Sequence, residues 1–416
     1  VDFARARVMR GILFLAHRVP FPPNRGDKIR AHHLLRHLAQ FAPVHVGCFA
    51  ESDEDRAVEG ELAQIAASHC IVDRSKPLVL AGVEAVLAHK PVSLTAFHSA
   101  RLDRWVRETL ALQPIDTIVV FSGQMGQYVP EDYPGRVVID LCDVDSAKFE
   151  SYADGGERVW LNRREGRLLA REEERLAGRS DATILISAAE ADLFRTRLKT
   201  PARANIQVIG NGIDAGFFAP DAVPPAGEIS ASEGPHFVFT GQMDYRPNEQ
   251  AALWAIGQLL PVLRRRYPQA QFHVVGRNPT DALKARRNDP GVTIWGEVPD
   301  VRPFIAAADC VLAPLLIARG VQNKVLEAMA MARPVLLTPQ AATGIAADDA
   351  THWLVCEPDA LAMAGRFEAM WESGGSADAI GAAARQFVLD HHAWHAMLAP
   401  LEHLLAGETA EARDAA

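Results

Sequence analysis

The sequence predicts an α/β protein made of two parallel-sheet domains, and three observations predict it. At 416 residues the chain is too long for one ordinary core. From Gly11 onward, short apolar runs alternate with helix-length amphipathic stretches, the pattern of βα units. That alternation stops at Pro220–Pro235, which is rich in Pro, Ala, Gly and Ser without periodicity, and restarts at His236.

Composition narrows the function classes. Apolar content of 49% and charged content of 23% are those of a soluble globular protein. A net charge of −9 argues against general nucleic-acid binding, which needs a basic footprint. The five cysteines are scattered without metal-type spacing and read as free thiols in a reducing, cytoplasmic compartment. No run approaches a transmembrane helix, and the start has no signal-peptide layout. Val1–Val8 read as a leader, with Met9 an alternative start.

In chain order, Gly11–Ala16 is the first buried strand, and the Pro-rich loop His17–Asp27 leads to a helix over Lys28–Ala39. Asn24, Arg25, Asp27 and Lys28 crowd this loop and helix start, at a sheet end where ligands bind, although a structural turn would serve equally. Val44–Phe49 and Cys70–Val72 are strands around an acidic helix, Asp53–Ala67, and helices follow at Val79–His89 and Leu102–Leu112. Thr117–Phe121 and Val137–Leu141 are further strands. The second ends in DLCDVDS (140–146), whose carboxylates could cap a helix, coordinate a metal or, at Asp143 or Asp145, place an acceptor hydroxyl or its proton. Arg158–Arg179 is a long helix carrying seven arginines among interleaved glutamates, either a salt-bridged surface or a contact for an anionic membrane. Strands at Ala182–Ile186 and Ile206–Ile209 complete this half, with a helix after Ser187. Gly210–Ala215 matches a dinucleotide fingerprint on paper, but Phe217, Phe218 and Pro220 follow at once, so no helix opens on those glycines.

In the second half, His236–Thr240 is a strand, followed by the loop Gly241–Asn248 and a helix over Glu249–Tyr267. Phe272–Gly276 and Thr293–Trp295 are strands, and Val301–Ala308 a short helix. Cys310–Pro314 is a strand, Leu316–Gly320 a loop and Val321–Ala332 a helix that Pro334 ends before the strand Val335–Thr338. This unit requires a parallel crossover, and its helix start favours an anion. Lys324 and Glu327 share a helical face there: a cation for phosphate beside a carboxylate for sugar hydroxyls suits a sugar nucleotide, and a solvated Lys/Glu pair is the alternative. A strand at Trp353–Cys356 and helices at Pro358–Trp371, Asp378–Leu389 and His392–Ala406 close the fold. His391, His392 and His395 read as surface histidines rather than metal ligands.

Two βα domains with glycine loops at both mouths fit Rossmann-like domains facing across a ligand cleft. The domains would be 9–204 and 236–389, with a linker at 205–235, a helix at 390–406 crossing back to the first domain and a disordered tail at 407–416. The chain resembles retaining nucleotide-sugar glycosyltransferases of family 4, of GT-B fold, along most of its length. NGID (211–214), GQMDYRPN (241–248), VVGRNP (274–279), VPDVRPFIAAADCVLAP (298–314) and NKVLEAMAMARPV (323–335) carry the resemblance together. FPPNRGDKIRAHHLLRHLA and DVDSAKF resemble the subgroup accompanying exosortase/PEP-CTERM exopolysaccharide systems in bacteria.

The resemblance implies a donor site at Gly26, Gly241, Arg246, Gly276, Arg277, Arg319, Gly320, Val321, Lys324 and Glu327. Glu327 would hold the donor ribose, while Lys324 and Arg246 would neutralise the diphosphate without a metal. No cofactor is implied. The acceptor, a glycan or polyprenyl-diphosphate-linked precursor, would meet Asn24, Arg25, Asp27 and Lys28 at the inner face of the membrane, with Asp143 or Asp145 serving its hydroxyl. Two departures stand out: Arg319 replaces the first glutamate of the family's Glu-x7-Glu pattern, and Cys142-Asp143 stands where many relatives carry a histidine. A GT-B epimerase or phosphorylase, or a non-catalytic sugar-nucleotide-binding subunit, are the rival readings.

Overall fold

The computed structural model describes residues 9–155, 158–318 and 320–407. The leader read at Val1–Val8, Arg319 and the tail beyond Gly407 lie outside the described residues. The chain divides into two compact units, one running to Asn211 and resuming at Met397, the other covering Gly212–Ala396.

In the first unit β1 (Ile12–Ala16), β2 (Val44–Ala50), β3 (Ser68–Asp73), β4 (Thr117–Phe121), β5 (Arg136–Cys142), β6 (Ala182–Leu185) and β7 (Ile206–Val208) form one sheet in the order β3-β2-β1-β4-β5-β6-β7. In the second, β8 (His236–Thr240), β9 (Gln271–Val275), β10 (Val292–Gly296), β11 (Cys310–Ala313), β12 (Val335–Leu337) and β13 (Leu354–Val355) are ordered β10-β9-β8-β11-β12-β13. Every strand pairing is parallel. The central strands are apolar and buried along their whole length because helices cover both faces of such a sheet. Strand order reverses between β1 and β4, and again between β8 and β11, so each sheet opens a crevice at the carboxyl ends of those strands.

The helices around the two crevices and beside them include α1 (Gly26–Leu38), α2 (Leu78–Leu87), α3 (Val92–Ala96), α4 (Asp145–Asp154), α5 (Val159–Ala177), α6 (Arg246–Trp254) and α7 (Asn323–Ala330). Helix α4 starts inside the aspartate-rich segment, where the sequence reading has no helix of its own. Two buried glutamates of α5 serve neighbouring helix starts. Glu165 accepts the N–H groups of Val92 and Ser93 at 2.8 and 3.0 Å, and Glu173 accepts the Ser146 N–H at 2.9 Å and its hydroxyl at 2.6 Å. Orphan donors of α3 and α4 are thereby satisfied from α5, which explains glutamates on its inner face.

Several expected boundaries move. The helix read at Asp53–Ala67 is two, Asp53–Ala57 and Glu59–Ile65, broken at Val58. The helix read at Glu249–Tyr267 starts at Arg246 and passes through a π-turn at Ala255–Leu259 just before Pro261, whose missing N–H a wide turn accommodates. The stretch read as a linker, 205–235, is packed: β7 joins the first sheet, and Ile213, Ala215, Ala226 and Ile229 enter the second core. Asn211 is held by Arg30, which reaches its Oδ1 at 2.9 Å and the carbonyls of Gly210 and Ile209 at 3.0 and 2.8 Å. Arg30 is itself fully buried against Asp140 at 2.8 Å.

Candidate active site

The crevice of the second sheet is a cavity of about 670 Å³. Its walls follow from the sheet: Thr240, Gly241 and Gln242 leave β8, Val275, Gly276 and Arg277 leave β9, Glu297 and Val298 leave β10, and Asn323, Lys324 and Glu327 rise from α7. Gly241 and Gly276 both take positive φ, +150° and +152°, which L side chains rarely adopt. Glycine at both positions leaves bare backbone facing the cavity.

Lys324 is fixed from three sides. Its Nζ donates to Asn248 Oδ1, lies 4.5 Å above the ring centroid of Phe239, and would sit 3.1 Å from a β-carbon at residue 241. Asn248 is anchored in turn, its Nδ2 donating to the Gln242 carbonyl at 2.9 Å. Burial lowers the Lys324 ammonium to about 8, with Glu327 opposing part of that shift. Burial likewise pushes the Glu327 carboxyl up to about 7, against the pull of Lys324. Glu327 lines the cavity without a side-chain hydrogen bond among the described residues, so its oxygens can accept from a ligand. Among the described residues no side chain caps the first N–H groups of α7, which adds a partial positive charge beside Lys324.

The other expected donor residues divide. Arg277 lines the cavity and donates to Gln242 Oε1 at 2.8 Å; Val321 also lines it. Gly320, at φ +65°, does not line it, and Arg246 opens α6 as an exposed residue outside the lining. Gly26 opens α1 in the first unit, where an added β-carbon would meet nothing within 4 Å among the described residues. Arg319 lies outside the described residues. Motif reading missed Thr240, whose buried hydroxyl has no partner among the described residues, and Glu297, Val298 and Asn323. Thr240 closes β8 and Glu297 follows β10, outside any motif, whereas Val298 and Asn323 each open a motif stretch without a site role of their own in the sequence.

At the switch point of the first sheet, Asn24 and Arg25 are exposed and Asp27 is half-buried. Despite burial, His17, Arg18 and Arg25 hold the Asp27 carboxyl well below the usual range. Lys28 departs from its expected role. It lies on the inner side of α1, and its ammonium is consumed by Asp55 and by the Phe21 carbonyl at 3.1 Å. His17, at the end of β1, was not singled out from sequence. It sits 3.2 Å from Asp27 and packs on Phe121 and Phe97, while its Nδ1 has no partner among the described residues. Of the clustered aspartates, Asp140 is taken by Arg30, which leaves Asp143 exposed and Asp145 half-buried at the start of α4. Burial raises both carboxyls, with Glu190 and Asp145 adding to the shift at Asp143. Among the described residues, no group of three or more His, Cys, Asp or Glu is placed to hold a metal ion.

Residues 234–373 match the family described as Glycosyl transferases group 1. No curated protein sequence matches the chain. Among solved structures, HepE from Anabaena in complex with UDP aligns over 95% of this chain and 99% of its own, at 15% identity and a TM-score of 0.60. A sucrose-phosphate synthase from Thermosynechococcus elongatus aligns over 98% and 100%, at 17% identity and 0.56. WaaG, a glycosyltransferase of lipopolysaccharide biosynthesis, aligns over 95% and 99%, at 19% identity and 0.55. The chain has the GT-B fold, two Rossmann-like α/β domains, and its second domain carries the group 1 glycosyl transferase match around the cavity of Lys324 and Glu327.

Proposed function

We propose that the protein is a metal-independent retaining glycosyltransferase of family 4. It would move a sugar from a nucleoside diphosphate to a glycan or polyprenyl-diphosphate-linked exopolysaccharide precursor at the inner face of a bacterial membrane. One observation carries the donor half: Lys324 and Glu327 meet in a single cavity beside two bare glycine backbones. Lys324 and the uncapped start of α7 neutralise the leaving diphosphate, while Glu327 accepts from ribose hydroxyls. Arg277 adds charge at the cavity edge, whereas Arg246 needs a side-chain movement to reach a ligand. That HepE structures hold UDP and UDP-glucose supports a nucleotide sugar as donor. For the acceptor, Asp143 or Asp145 would take the hydroxyl proton, since desolvation raises both carboxyls above the ordinary aspartate range.

A thermal-shift and calorimetric screen against UDP-, GDP- and ADP-sugars tests the donor reading. Glu327→Ala should raise the donor KM and lower turnover. Unchanged donor kinetics in that variant would sink the assignment. Donor conversion without an acceptor would point to an epimerase, phosphate dependence to a phosphorylase, and tight donor binding with no turnover to a binding subunit.

A further inference from the structure

Helix α2 is amphipathic the wrong way round. Its small residues Ala81 and Ala85 are fully buried against the domain, while Leu78, Val79, Val83 and Leu87 stand 53–81% exposed. A helix that only packs would turn its large side chains inward, so this outward apolar face has another contact. The Arg164 guanidinium ties the end of α2 to α5, donating to the carbonyls of Ala85 and Lys90 at 2.8 and 3.2 Å. One turn before Arg164, on the same stripe of α5, Trp160 is 69% exposed.

Beside this face lies a cavity of about 460 Å³ whose lining includes Lys90, Arg171, Arg175 and Arg179 against Glu131 and Glu172. Glu172 is spent on Arg175 at 2.6 Å, whereas Lys90, Arg171 and Arg179 have no carboxylate partner among the described residues. On a chain of net charge −9, such a basic cluster is a local feature, not a reflection of overall composition.

We propose that the first domain docks on an anionic phospholipid bilayer through α2, with headgroup phosphates received by the basic cavity of Lys90, Arg171 and Arg179. A protein partner or second copy could cover apolar side chains, but cations without a carboxylate partner among the described residues and an exposed tryptophan on the same helix α5 as Arg171 match the charge and polarity gradient of a lipid interface. Helix α2 lies in the interface plane, with the arginines of α5 at headgroup level. The proposal gives the membrane contact of the functional reading a surface. Vesicle binding and donor binding are read separately, so the failure of one leaves the other standing.

Flotation of the full chain with vesicles of phosphatidylcholine, with and without phosphatidylglycerol, tests it. Binding is expected only with the anionic lipid and should weaken with added salt, and brominated acyl chains should quench tryptophan emission in the wild type but not in Trp160→Phe. The double variant Val79→Glu/Val83→Glu, altered only at exposed positions, should bind at least about tenfold more weakly, and Lys90→Glu/Arg171→Glu should lose the preference for anionic lipid. Leu87→Gln is the milder second variant, and donor calorimetry confirms that each one is folded. No vesicle binding by the wild type, equal binding by Val79→Glu/Val83→Glu, or a wild-type dimer that this variant dissociates, overturns the proposal.

Discussion

The carbonyl oxygen of Gly241 lies 1.6 Å from where a β-carbon of residue 276 would stand. The loops after β8 and β9 are therefore in backbone contact, and no side chain fits between them. Gly276→Ala has to push the two loops apart and also hold a φ of +152°, so it should destabilise the second domain by about 2 kcal/mol or more. It should also displace Lys324, which leans on the Gly241 loop through Asn248. Urea denaturation and nucleotide calorimetry on the same variant read both effects; a variant as stable as wild type would contradict the packing.

The pair Lys324 and Glu327 sets a pH window. The ammonium is lost above about 8 and the carboxylate is protonated below about 7, so donor affinity of the free protein should peak between those values. Lys324→Arg should remove the alkaline limb and Glu327→Gln the acid limb, measured by calorimetry across pH with a UDP-sugar.

The same carboxyl carries a stability cost whose sign is fixed. Its folded pKa, about 7, lies above the ordinary 4.5, so its stabilising contribution is complete below pH 4.5 and is lost as pH rises through 7. Glu327→Gln should thus equal wild type in acid and exceed it above pH 7, by on the order of 1–3 kcal/mol, while binding donor poorly. Denaturant melts at both pH values check it.

The fold was legible because buried parallel strands leave continuous apolar runs; β1, β8 and β11 fall within a residue of where hydrophobicity places them. Lys324 and Glu327 were legible because their spacing on one helix carries the geometry. Thr240, Asn248 and His17 were harder to see, since their roles come from strands and helices brought together by the crossovers. Lys28 shows the opposite error. A cation at a helix start looks available in sequence, and only its partner Asp55, on a separate helix, shows that it is already used. Likewise α4 hides in the sequence because its cap is Glu173, on another helix.

Asp145→Asn should lower turnover by about tenfold or more while leaving the donor dissociation constant unchanged, because Asp145 belongs to the first unit and the donor cavity to the second. Steady-state kinetics beside nucleotide calorimetry separate the two. A parallel loss of donor affinity would move Asp145 out of the acceptor role.

Arg30 and Asp140 are both essentially excluded from water, and the guanidinium spends its remaining donors on Ile209, Gly210 and Asn211. Removing one charge strands the other, so Asp140→Ala should cost about 3–5 kcal/mol. Replacing both with apolar residues of similar volume should cost less than Asp140→Ala at the ion pair itself, yet it still deprives the Ile209–Asn211 segment of its donors. That segment leads directly into Gly212, the first residue of the second unit. Arg30→Met/Asp140→Leu should therefore regain part of the lost stability while protease cleavage near residues 209–211 rises, and cleavage at the wild-type rate would show that Arg30 does not hold the crossing segment.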